Sequence, residues 1–203
     1  MKKNKEAFSQ MYLAKALEGE VKAWADQGWN GVTQTTLELF NYWFKRDEDI
    51  GECFYDCQRH AIETIVYCHE ILQATTLQEL FERVAPEALL EHLPLKQEVE
   101  AIQFPKYALK MATGTGKTWV LTALIIWQFF NKINNEREGK YSYRFLVVTP
   151  GHEVLNRMFD SLKGKRNPET GDRAPETADY KRSLFMPEGA ITYILQNCSI
   201  PVF

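Results

Sequence analysis

The chain has 203 residues, enough for one large domain or one domain with an appendage. Its 45% hydrophobic and 13% aromatic content supplies a sizeable core. A net charge of −3 gives no global basic signal for nucleic acid, so any DNA contact has to come from a local surface. The basic start Met-Lys-Lys-Asn-Lys-Glu is followed by no apolar segment of signal-peptide type. The longest apolar stretch, residues 119–130, is shorter than the roughly 20 residues that a bilayer requires. A soluble, cytoplasmic protein without a membrane partner is expected. Cys53, Cys57, Cys68 and Cys198 lack paired metal-ligand spacing and read as reduced thiols of the core.

Residues 6–27 carry apolar positions at helical spacing, among them Phe8, Met11, Leu17, Val21 and Trp24, and residues 28–31 break that helix. Thr35 or Thr36 is expected to cap a second, aromatic-rich helix over 37–44. Lys45 to Gly51 reads as a charged loop. Asp56 is the expected N-cap of a third helix reaching about Gln73, with Ile62, Ile65, Val66 and Leu72 as its buried stripe. Thr75 or Thr76 starts another helix to about Val84, and Pro86 and Pro94 bracket a short one containing Leu89, Leu90 and Leu93. From about residue 103 the pattern alternates: strand 106–111, helix 117–133, strand 144–149, helix 152–163. Such alternation argues an α/β domain, a parallel sheet with flanking helices. Residues 164–182 read as a polar loop of interleaved charges, and 190–195 as one more strand. The expected division is a helical amino-terminal region over 1–50 and an incomplete ATP-binding domain over 51–203.

Met111-Ala-Thr-Gly-Thr-Gly-Lys-Thr118 lies between an expected strand and an apolar helix. That is the context of a phosphate-binding loop. The backbone N–H groups of Ala112, Thr113, Gly114, Thr115 and Gly116 can wrap a triphosphate, because glycines let the chain approach closely and the next helix aims its positive end there. Lys117 is expected to reach the β- and γ-phosphates of ATP, and the Thr118 hydroxyl to hold Mg²⁺. The strict pattern begins with Gly where this chain has Met111. Upstream, Gln58 stands near a helix start, where its amide can read adenine in both directions. Downstream, Arg144-Phe-Leu-Val-Val-Thr-Pro-Gly151 reads as a strand that ends at a helix start. Thr149, Pro150 and Gly151 are therefore candidates for a nucleic-acid phosphate. His60, His69, His92 and His152 have no triad partners in this pattern, and the aromatic group Phe40, Tyr42, Trp43 and Phe44 reads as core with one member able to stack on adenine.

The order of Gln58 helix, MATGTGKT and LVVTPG resembles the Q-type motif, motif I and motif Ia of superfamily 2 helicases and translocases. The closer likeness is to the Res subunit of type III restriction enzymes, whose motif I often begins with Met. Thr36-Leu-Glu-Leu-Phe-Asn-Tyr-Trp-Phe44, Phe54-Tyr55, Gln58-Arg59 and Ala61-Ile-Glu-Thr-Ile-Val-Tyr67 are similar to the amino-terminal region of that family, and the resemblance covers roughly 33–155. It implies a partial RecA-like P-loop NTPase domain after the helical region, with a helical insertion at about 74–102. It further implies ATP and Mg²⁺ as cofactors, double-stranded DNA as partner, and a methyltransferase (modification) subunit beside it. In the full-length enzyme ATP hydrolysis is coupled to DNA translocation and cleavage. No Asp-Glu pair of motif II type follows residue 151, and there is no second lobe. The chain thus looks like the amino-terminal part of a longer enzyme, expected to bind nucleotide but to be inactive alone. Another P-loop phosphotransferase, or a non-catalytic remnant serving as an interaction module, are the alternatives.

Overall fold

The computed structural model describes residues 2–45, 53–90, 106–181 and 184–185. The expected strand at 190–195, together with Leu93, Pro94, His92 and Cys198, lies outside them. Two compact units emerge: residues Met1–Val32 with His60–Lys110, and Thr33–Arg59 with Met111–Phe203.

In the first unit, α1 runs over Lys2–Asp26 and ends where the chain turns at Gly28 and Trp29, both at positive φ. Helix α3 (Asp56–Val66) supplies the other wall from His60 onward and continues as a π-helix over Tyr67–Leu72, closed by Gln73 in the left-handed region. The third helix is thus as long as its pattern predicts, but its last turns are wider than α. The stripe Ile62, Ile65, Val66 and Leu72 is buried, as the spacing requires. Helices α4 (Leu77–Val84) and α5 (Pro86–Leu90) complete the unit. Thr76 is the N-cap of α4, its hydroxyl accepting from the Glu79 N–H. Leu13, Cys68, Leu72, Ala74, Phe81, Val84 and Ala85 form the core. Burial there pushes the Cys68 thiol up to about 11. Cys53 and Cys57, by contrast, are exposed rather than core residues. The Trp29 indole N–H donates to the buried Glu63 carboxylate at 2.9 Å.

In the second unit α2 (Gln34–Phe44) packs on α6 (Lys117–Asn134). The N-cap of α2 is Thr33, not Thr35 or Thr36: the Thr33 hydroxyl accepts from the Thr36 N–H at 3.1 Å. Thr36 instead points into the α2–α6 contact. Its hydroxyl accepts from the Trp127 indole and from the Asn131 amide, each at 3.0 Å. Trp127, fully buried, explains why α6 is not exposed along this side. Helix α6 also packs against α7 (His152–Lys163), where the Thr122 and Ser161 hydroxyls meet at 3.4 Å.

The expected parallel sheet is not present among the described residues. Residues 106–111 and 144–149 form no ladder. A strand is held by its neighbours, and an alternating pattern does not supply them. Tyr107 instead turns its ring edge to His69, and Leu146 and Val148 stand 89% and 82% exposed. The described sheet is one antiparallel pair, β1 (Lys165–Arg166) with β2 (Arg173–Ala174), inside the segment that reads as a loop. Single 3₁₀ turns follow at Pro175–Thr177 and Asp179–Lys181. No described helix is long and apolar enough to cross a membrane.

Candidate nucleotide-binding site

The 111–118 loop ends on α6, whose first turn begins at Lys117. Gly116 is its N-cap at φ +73°, and Gly114 stands at φ +83°. Those left-handed positions explain the two glycines of the motif, since other residues adopt them at a cost. The first N–H groups of a helix have no intrahelical partner, and the helix dipole is positive there. The Trp119 and Val120 N–H groups already bond to the Gly116 carbonyl, so those of Lys117 and Thr118 are the ones that front the loop. The Thr115 hydroxyl donates to the Ala112 carbonyl at 2.8 Å and tightens the turn. The Lys117 ammonium donates to the Met111 carbonyl at 3.1 Å and to the Ala112 carbonyl at 2.6 Å, and it is exposed. A surface cation whose partners among the described residues are neutral carbonyls is available to an anion. The loop fits a triphosphate on its own geometry: an exposed, glycine-bearing turn, a helix start and a surface lysine.

Gln58 is joined to this loop. Helix α3 opens with the Arg59 N–H bonded to the Tyr55 carbonyl at 2.9 Å, so Tyr55, and not Asp56, is the capping residue. The Gln58 amide oxygen accepts from the Tyr55 N–H at 3.0 Å, the reciprocal half of a capping box. The Gln58 NH₂ donates to the Thr115 carbonyl at 3.0 Å. Gln58 is 1% exposed. A Cβ at Gly116 would collide with the Gln58 amide nitrogen.

Aromatic packing fixes both sides of this junction. Phe54, next to Tyr55, stacks edge-on against Trp43, Phe44 and Phe185. Trp119 of α6 meets the same Phe185 ring, and the Trp43 indole N–H donates to the Phe185 carbonyl at 2.8 Å. Phe40 and Trp43 are therefore core, while Arg59 covers the Phe44 ring at 5.3 Å. Phe185 carries no motif signature and escapes a reading by pattern; Tyr55 belongs to the segment that carries the family likeness, but only the position of Gln58 three residues after it hints at its capping role.

Thr149, Pro150 and Gly151 precede α7, with Gly151 as its N-cap in extended backbone. Pro150 and Gly151 are exposed. The structure thus joins Gln58 to the 111–118 loop by a direct hydrogen bond and puts the 149–151 turn at a separate helix start. Among the described residues no group of three or more His, Cys, Asp or Glu is gathered to hold a metal.

The family model described as "Type III restriction enzyme, res subunit" matches residues 53–185, well over half of the chain. That span takes in Gln58, the phosphate loop and the 149–151 turn. No curated protein and no solved structure matches the chain.

Proposed function

Because the chain belongs to the type III restriction enzyme res-subunit family, a helicase-like superfamily 2 family, we propose that its 111–118 loop holds the triphosphate of ATP together with Mg²⁺. Membership implies a RecA-like fold and a helicase-like, ATP-binding role. The single observation that carries the site is the exposed loop at the start of α6, with Lys117 resting on two neutral carbonyls. The backbone of residues 113–118 wraps the phosphates, Lys117 neutralises them and the Thr118 hydroxyl holds the metal. Bound ATP supplies a phosphoanhydride whose hydrolysis drives movement along duplex DNA in a full res subunit. The turn at Thr149, Pro150 and Gly151 meets the DNA backbone, and a methyltransferase subunit is the partner at the protein level. These 203 residues contain no Asp-Glu pair after residue 151 to orient a water. Binding without appreciable turnover follows.

Titration calorimetry of the chain with ATP and Mg²⁺ tests this. Saturable one-to-one binding is expected. Lys117→Ala should weaken it about ten-fold or more, since a charge-assisted contact to phosphate is lost. Among the described residues the exposed Lys117 bonds two backbone carbonyls and no side chain, so the unliganded melting temperature should not move. Equal affinity in parent and variant would remove the loop from the site.

A further inference from the structure

We propose that Gln58 is a positioning residue of the phosphate loop, indifferent to the base, and not the group that reads adenine. The inference rests on the nucleotide-binding role given to the loop above. Reading adenine requires the amide oxygen and the NH₂ of one side chain to face the base together. Here each end of the amide already bonds to the protein. The oxygen accepts the Tyr55 N–H at the start of α3, and the NH₂ donates to the Thr115 carbonyl within the loop. At 1% exposure the side chain offers no open edge to a ligand. Turning it toward a base breaks the cap of α3 and leaves the Thr115 carbonyl without this donor.

The same bonds give Gln58 a different task. Thr115 is the residue between the two left-handed glycines, so the direction of its carbonyl sets how the Gly114–Gly116 peptides face the phosphates. Gln58 holds that carbonyl from behind. Gly116 fits this arrangement twice: its φ of +73° favours glycine, and a Cβ there would meet the Gln58 amide. The aromatic packing of Phe54 on Trp43 and Phe185 keeps the start of α3 in place. The result is a strut from a packed helix start to the phosphate turn.

The test compares Gln58→Met, which keeps length and loses both hydrogen bonds, with the parent 203-residue chain. Affinities are measured for Mg²⁺ complexes of ATP, GTP and inorganic tripolyphosphate. A strut predicts a loss of about ten-fold that is equal for all three, with the ATP-to-GTP ratio unchanged. A loss confined to ATP, with tripolyphosphate binding intact, overturns the proposal in favour of base reading, and no loss for any of the three overturns it outright. If the parent binds none of the three, the nucleotide reading itself fails. A second measurement needs no variant: in the parent, the Gln58 side-chain NH₂ resonances should exchange slowly with water and shift when tripolyphosphate is added. Fast exchange, or no response to a ligand that carries no base, also overturns the strut.

Discussion

Thr36 shows how a single hydroxyl can tie two helices and mislead a local reading. As a β-hydroxyl residue ahead of an apolar run it reads as an N-cap, yet Thr33 takes that role. Thr36 is drawn inward by Trp127 and Asn131, both more than 90 residues away in the chain. No local rule carries that information. Thr36→Val keeps the shape and removes the acceptor shared by the Trp127 and Asn131 donors. A loss of about 1–3 kcal/mol in unfolding free energy is expected by urea denaturation; a neutral outcome would mean that both donors re-pair freely. Gln58 is the opposite case. Its place near a helix start was legible from the Ile62, Ile65 and Val66 stripe that follows. What its amide touches was not, because the Thr115 carbonyl is a backbone group with no signature.

At the scale of elements, the helices were legible because an apolar face repeats within a few residues. Helix α7 covers His152–Lys163, the span its pattern predicts, and α6 differs from prediction by one residue. Strands were not, since pairing partners are not written in the segment itself. The β1–β2 pair is too short for any period to register. It depends on a few contacts instead. Arg173 donates to the Asp160 carboxylate at 2.8 Å and to the Gly164 carbonyl at 2.6 Å, which fastens the hairpin to the end of α7. Gly164 sits at φ +89°, and a Cβ there would run into the Ala174 backbone. Gly164→Ala should therefore detach the hairpin while leaving α7 helical. Limited trypsin digestion gives the readout: cleavage after Lys165 and Arg166 should accelerate several-fold over the parent, with little change in helical circular dichroism.

At the scale of the whole molecule, the family was visible in the sequence, whereas the parallel sheet expected around residues 111–118 is not seen among the described residues. The segment read as its second strand leaves Phe145, Leu146 and Val148 exposed. An apolar run of high β-propensity that has no ladder partner among the described residues is a template for association between chains. With a net charge of only −3, long-range repulsion does little to oppose that. Sedimentation velocity should show concentration-dependent self-association of the parent. Leu146→Lys with Val148→Lys should suppress it without lowering the melting temperature, because neither side chain is packed. A parent that stays monomeric at high concentration would show that this run is sequestered in solution.

Lys117 carries one consequence that belongs to time rather than to affinity. Its ammonium is already held by the Met111 and Ala112 carbonyls, the latter at 2.6 Å. For a triphosphate docking on this loop, as proposed above, the third N–H of the ammonium is open at first encounter, and the closest contact follows once Lys117 leaves these oxygens. Encounter and capture then become separate events. The observed association rate should level off at high nucleotide concentration, with the plateau set by how often Lys117 leaves its carbonyls rather than by diffusion.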